Sequence, residues 1–440
     1  MTLLFRRATY IFFIAIFLIV SPLVILYTMG YRYNFTKGRV QKTGIIKVTS
    51  LPKGADIYLN GVKYETSQTP AKIEYVLPGD YEIKLAKDGY FDWQKKLAVY
   101  ENGTTFAEKI MLWKKSDSQL LTASSAAQFL IAPDKNSFVS LSSSGAINLT
   151  DINSGLLGEL SGGATGAIAE IKGYQQLTLE SYSPSGRYLL ISGLKNKQRD
   201  YFIVDTVAKN SKKLATTGYE RLKWDKQNDK LYALSGKKLM EFNLVSLQPA
   251  VALADFAADD FLIDGKDLYF IADQTLSKTS LTGGKAAPIK KVDCSQCLLK
   301  EIKLNKALID DPSRKILTVV DLNGQLKNIE LPADRISWLN GDSLLAYNDF
   351  EIYILELAKS DPELITRLGT PIKAAIWHPN GRHLVISTDN QIKIIELDNR
   401  ELRNIISLKE AAADFLAVDR AGKNLYYAID KMGIFKLNIQ

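Results

Sequence analysis

The sequence predicts an all-β globular part carried behind one N-terminal helix, and three observations predict it. Residues 8–30 form an apolar run, with no charged residue between Arg7 and Arg32. Residues 43–115 hold short period-two apolar runs separated by turn residues. Residues 116–440 repeat one strand-like segment eight times. The expected organisation is a tail (1–7), a membrane-spanning helix (8–30), a basic juxtamembrane linker (31–42), a small β-sandwich (43–115) and a large repeat domain (116–440).

The apolar run has about 22 residues, and at about 1.5 Å each they span about 33 Å, enough to cross a bilayer. Pro22 is compatible with a membrane helix. The run exceeds the apolar core of a cleaved signal peptide and leaves through Tyr27-Thr28-Met29-Gly30, so an uncleaved, single-pass anchor is expected. Arg6 and Arg7 favour a cytoplasmic start, whereas Arg32, Lys37, Arg39 and Lys42 on the far flank argue the opposite. The formal charge of +8 is uneven: residues 1–115 hold 17 Lys+Arg against 9 Asp+Glu, and residues 116–440 hold 39 of each. Anionic lipid or an anionic wall polymer is the partner such a base attracts. A nucleic-acid partner is not expected, because the large neutral region offers no basic patch.

In residues 43–115, Ile46 and Val48 alternate before Pro52-Lys53-Gly54-Ala55 breaks the run. Ile57 and Leu59 lead into Asn60-Gly61, a strong hairpin signal. Further alternating runs end at Pro78-Gly79-Asp80 and Asp88-Gly89, and the pattern reads as a small antiparallel sandwich. Pro52-x-Gly54-Ala55, Asn60-Gly61, Thr69-Pro70, Gly79-x-Tyr81, Gly89-Tyr90 and Trp93 together resemble a PEGA domain, with Lys53 where the name-giving motif has Glu. The resemblance implies an envelope module on the outer side of the membrane, hence C-terminal domains outside the cytoplasm, and no enzymatic activity.

The recurring segment appears as INLTDI (Ile147–Ile152), YFIVDT (Tyr201–Thr206), LMEFNL (Leu239–Leu244), LSKTSL (Leu276–Leu281), LTVVDL (Leu317–Leu322), IYILEL (Ile352–Leu357), IKIIEL (Ile392–Leu397) and IFKLNI (Ile434–Ile439). From Thr206 to Leu437 the mean step is 38.5 residues, near the blade length of a β-propeller. The first step is longer, and Ser161-Gly162-Gly163-Ala164-Thr165-Gly166 opens an insertion there. An earlier turn also recurs, as SPSGR (Ser183–Arg187), DKQND (Asp225–Asp229), HPNGR (His378–Arg382) and DRAGK (Asp419–Lys423). These turns resemble those of TolB-type and WD-repeat-like propellers. Eight copies imply an eight-bladed β-propeller, with seven blades as the alternative if one copy is misassigned. The final copy lacks a fourth strand after Gln440, and Gln119–Thr122 is expected to supply it from the other end of the domain. Such closure removes exposed sheet edges.

Catalytic motifs are few. Cys294-x-x-Cys297 and His378-x4-His383 each have zinc-ligand spacing. In a propeller, however, the cysteines fall between blades on one face and His378 falls in a turn on the other. A five-residue strand separates those faces by about 17 Å, against a metal bond of about 2.0–2.3 Å. The cysteines are then either a small-loop disulfide or free thiols. No serine has glycine two before and two after it, the glycine-rich stretch lacks a following Gly-Lys-Ser/Thr, and Asp259-Asp260 and Asp310-Asp311 are strand neighbours that point to opposite faces. No catalytic, cofactor or metal residue is assigned. The expected function is therefore an envelope binding or scaffolding protein whose propeller takes a protein or glycan. The alternatives are a glycan-cleaving enzyme with its site in the propeller channel, which needs two convergent carboxylates, and a purely structural envelope component.

Overall fold

The computed structural model describes residues 3–35, 37–65, 67–123, 126–152, 165–214, 218–359 and 361–440. The chain divides into a first unit of Met1–Ser116 with Asp398–Ile406 and Gln440, and a second of Asp117–Leu397 with Ser407–Ile439.

The first unit opens with α1 (Leu3–Thr28), whose stretch Phe5–Thr28 is long and apolar enough to cross a membrane and is left unburied by the described residues. β1 (Tyr31–Asn34) and β2 (Arg39–Lys42) follow as an antiparallel hairpin, so the segment read as a linker is folded. Then come β3 (Gly44–Leu51), β4 (Asp56–Leu59), β5 (Val62–Lys63), β6 (Ala71–Val76), β7 (Gly79–Ala86), β8 (Trp93–Val99) and β9 (Thr104–Met111). They make a three-stranded sheet, β6-β3-β9, and a four-stranded sheet, β5-β4-β7-β8. Period-two alternation turns Ile46, Val48, Ile57, Ile83, Leu85 and Trp93 into one buried cluster. Asn60 and Gly61 both have positive φ (49° and 80°), as a two-residue hairpin turn between β4 and β5 requires.

One feature corrects the antiparallel expectation: β3 and β9 pair in parallel, with Ile46 opposite Thr105. The short connection from β8 to β9 carries the chain from the four-stranded sheet to the other one, so β9 arrives beside β3 running the same way. Local turn signals identify consecutive strands; they do not identify a partner in another sheet.

In the second unit, eight four-stranded antiparallel sheets are seen among the described residues. Seven take their strands from residues 126–151 with 165–170, 175–213, 220–254, 260–291, 298–331, 335–356 with 362–367, and 372–396 with 405–409. The eighth combines Phe415–Val418, Asn424–Ile429 and Gly433–Asn438 with β10 (Ser118–Thr122), where Ser118 faces Leu437 and Gln119 faces Lys436. Each recurring segment of the sequence lies on the third strand of its sheet. Of the glycine-rich stretch, Ser161–Ala164 lies outside the described residues, and the remainder opens the strand Thr165–Glu170.

Apolar clusters fill the space between consecutive sheets. Leu190 and Ile203 pack with Trp224 and Phe242, and Leu308 and Val319 pack with Leu344 and Leu355. Another cluster joins the ends of the series: Phe138 and Ile152 pack with Phe415, Tyr426 and Ile434. There the Phe129 and Phe415 rings stack at 4.7 Å and Phe138 lies 4.9 Å from Phe415. First strands of adjacent sheets lie side by side without a backbone ladder, and side chains bridge them instead. Gln128 donates to the Leu177 carbonyl (2.7 Å) and accepts from the Leu179 N–H (2.8 Å), while Arg335 donates to the Ile372 carbonyl (2.9 Å).

Phe138 is fully buried at this closing seam. Phe138→Ala is expected to lower stability by about 3–5 kcal/mol in denaturant unfolding, while Val245→Ala, at a site 84% exposed, stays within about 0.5 kcal/mol.

Candidate functional site

A cavity of about 870 Å³ in the second unit opens where the first strands of five sheets end. Trp338 closes the strand Arg335–Trp338 and Trp377 closes Ile372–Trp377, so both indoles stand at this mouth. Both Nε1 atoms are buried without a hydrogen-bond acceptor among the described residues. A buried donor left unpaired costs about 1–3 kcal/mol. Ile131, Pro133, Pro379 and Val418 add apolar wall.

Cations gather over this wall. Lys135 Nζ donates to the carbonyls of Trp338 (2.8 Å) and Leu339 (3.1 Å), reaching from the first sheet to the sixth. Lys303 Nζ lies 4.1 Å from the centre of the Trp338 ring, a cation–π contact. Burial holds both ammonium groups below the usual lysine range, and the charge of Lys303 lowers Lys135 further. The carboxylates of the cavity are already engaged, Asp134 by Asn136 and Glu301 by Lys226. Tyr182 stands near Asp134; burial first, and then the Asp134 charge, push its hydroxyl above the usual tyrosine range.

At the opposite ends of the first strands, Lys223 Nζ binds Asp260 Oδ2 (2.6 Å) and the Leu299 carbonyl (2.8 Å), and Asp260 Oδ2 accepts the Leu299 N–H (2.6 Å). Three neighbouring first strands are thereby tied together. A polar cavity of about 460 Å³ lies at this end, lined by Glu220, Arg221, Asp259 and Gln274.

A family model, the PEGA domain, matches residues 43–112. A search of curated proteins finds no match. Among solved structures, the C-terminal WD40 domain of Sif2 aligns at 14% identity with a TM-score of 0.51, covering 73% of this chain and 98% of that one. Saccharomyces cerevisiae Sqt1 aligns at 9% identity with a TM-score of 0.48, covering 73% and 98%. The second unit has a WD40-like propeller fold. Neither likeness extends beyond the fold.

Within the propeller, the residues singled out from the sequence fall as follows. Cys294 and Cys297 are joined as a disulfide in the segment before the strand Leu298–Lys303, buried with Val292 and Leu299 and lining the polar cavity. His378 and His383 follow the strand Ile372–Trp377, their ring centres 6.3 Å apart. The fold brings each pair together and puts the two pairs at opposite ends of first strands, and no group of three or more potential metal ligands occurs among the described residues. Asp260 and Asp259 diverge as strand neighbours do, one buried and one exposed; Asp310 contacts Lys300 and Asp311 contacts Ser313. In the first unit, Arg6 and Arg7 are exposed at the start of α1, Arg32, Arg39 and Lys42 lie on the hairpin strands and Lys37 on its turn.

Trp338, Trp377, Lys135 and Lys303 did not emerge from the sequence. A signal existed: an aromatic residue stands immediately before the first turn in YSPSG (Tyr182), WDKQN (Trp224), WLNGD (Trp338) and WHPNG (Trp377).

His378 supplies a pH test. Its Nε2–H donates to the Gly422 carbonyl (3.0 Å) and its Nδ1 accepts from the Asn380 N–H (3.3 Å), so the ring is neutral. Gly422 permits this approach, since a Cβ there would stand 2.6 Å from the ring. Burial, partly opposed by the Gly422 carbonyl, the Asn380 side chain and Asp419, holds the imidazole below the usual histidine value of 6.5. Between the folded value and 6.5 the unfolded chain binds more protons, so stability falls as pH drops below about 6.5. Denaturant unfolding at pH 7.5 and 5.5 checks this: wild type loses stability, and His378→Gln loses distinctly less.

Proposed function

We propose that the chain is a membrane-anchored, extracytoplasmic binding protein of the cell envelope. In this reading α1 spans the bilayer with the N-terminus inside, the PEGA-type sandwich lies outside, and the eight sheets are the blades of one closed propeller. The observation that carries the binding role is the cavity at the ends of the first strands, lined by Trp338, Trp377 and Lys135, with Lys303 over the Trp338 ring. Its volume lies within the range of ligand pockets, about 300–1,000 Å³. The arrangement suits an anionic group carried on an apolar or ring-bearing segment of a protein or glycan.

Binding is favoured over glycan cleavage because Asp134 and Glu301 serve structural partners, whereas hydrolysis needs one carboxylic acid and one carboxylate facing the same bond. The PEGA match and the uncovered helix support the envelope location.

A photo-crosslinking residue at Ser337, on the cavity wall, is expected to give one discrete adduct in intact cells, and the same residue at exposed Val245 none. Charge reversal at both lysines, Lys135→Glu with Lys303→Glu, should reduce the Ser337 adduct about tenfold, equivalent to about 1.4 kcal/mol. Equal labelling at the two positions, or an adduct indifferent to charge reversal, would contradict the reading.

A further inference from the structure

The hairpin after α1 has two unlike faces. Strand register places Arg32 opposite Gln41 and Asn34 opposite Arg39 on one side, with Tyr31 opposite Lys42 and Tyr33 opposite Val40 on the other. The first side turns inward: Asn34 and Gln41 are buried, hydrogen-bonded to each other (2.8 Å), and Gln41 donates to Glu101 (3.2 Å). On the second side Tyr31 and Lys42 are half-buried, with the Lys42 ammonium 5.4 Å from the Tyr31 ring, and the part toward the turn is bare. Tyr33 is 50% exposed, Val40 54% and Phe35 89%, with the Tyr33 and Phe35 rings 5.0 Å apart. Lys37 and Arg39 are exposed at the tip, and residues 31–42 contain four basic side chains and no acidic one.

This platform is fixed to the end of the helix. Thr43 donates to the Gly30 carbonyl through both its N–H (3.0 Å) and its hydroxyl (2.8 Å). The Arg32 guanidinium lies over Tyr27 of α1 (3.6 Å) and over Tyr75 (4.3 Å), and also donates to the Tyr27 carbonyl (2.7 Å). The bare face therefore starts within a few residues of the end of an apolar helix whose membrane-length stretch is left unburied by the described residues.

We infer that the β1–β2 hairpin is a lipid-binding element, with Tyr31, Tyr33, Phe35 and Val40 bedded at headgroup level and Lys37, Arg39 and Lys42 on the phosphates of anionic phospholipid. The inference rests on the anchored reading above. Tyrosine concentrates at the membrane–water boundary because one end of its ring is apolar and the other wet. Basic residues at the surface of an anionic leaflet are attracted to it, and a bare aromatic face beside the end of a spanning helix has the bilayer as its nearest continuous apolar phase. Three of the four cations on the flank that the charge rule would leave poor in them then have a local role as headgroup contacts, while Arg32 holds the hairpin to the helix.

The test uses the full-length chain in detergent-free vesicles of phosphatidylcholine, with and without phosphatidylglycerol. A single environment-sensitive fluorophore is placed at Phe35→Cys or at Lys53→Cys, an exposed site in the turn after β3 at the strand end away from the hairpin; the native cysteines are paired and do not react. A headgroup-level spin-labelled lipid is expected to quench the label at position 35 and spare the one at 53. In mixed nanodiscs the chain should retain phosphatidylglycerol over phosphatidylcholine, and Lys37→Gln and Arg39→Gln should each reduce that preference about fivefold, equivalent to about 1 kcal/mol. Release of the chain into the aqueous fraction by an alkaline wash would remove the anchored reading itself. Retention in the membrane with both labels equally exposed to water would leave the anchor standing and overturn the hairpin assignment. A quenched label with lipid preference unchanged in both variants would overturn the headgroup contact.

Discussion

The seam where Phe129, Phe138, Phe415 and Tyr426 meet is the constraint on which the second unit depends. A series of four-stranded sheets left open would expose an apolar face at each end and an unpaired strand edge. Here β10 completes the sheet of Gly433–Asn438, and the aromatic cluster joins that sheet to the one beginning at Ala126. The two devices are complementary: β10 satisfies backbone hydrogen bonds within a sheet, and the aromatic rings satisfy apolar area between sheets.

Closure has a consequence for the cavity. First strands brought into a ring cannot share a backbone ladder with their neighbours, so their inward groups must find side chains. Gln128 and Arg335 do this between adjacent sheets, Lys223 does it from the third sheet to the fifth, and Lys135 does it from the first sheet to the sixth by reaching the Trp338 and Leu339 carbonyls. Lys135 is thus held at the mouth by a structural requirement, beside the Trp338 ring that Lys303 covers.

Much of this was legible in the sequence, for reasons that are local. The third strands are read because they alternate, end in a polar residue and recur at a near-constant step, and the displaced fourth strand follows from counting. The sandwich is read from turn residues such as Asn60-Gly61, whose backbone angles only a few residue types adopt. What escaped is non-local. The parallel β3–β9 pair is decided by a sheet-to-sheet crossing. The Lys135–Trp338 contact joins positions 203 apart in the chain. The hairpin of residues 31–42 was hidden by its charge: four basic residues read as a spacer, although Tyr-Arg-Tyr-Asn and Arg-Val-Gln-Lys flank a Lys-Gly turn.

Hydrogen–deuterium exchange on the full-length chain tests the closed ring most directly. If the ring is closed by β10, amides of Ser118–Thr122 that are paired in the ladder exchange as slowly as those of Gly433–Asn438, and both open only with the whole unit. Rapid exchange of Ser118–Thr122 while Gly433–Asn438 stays protected would contradict closure.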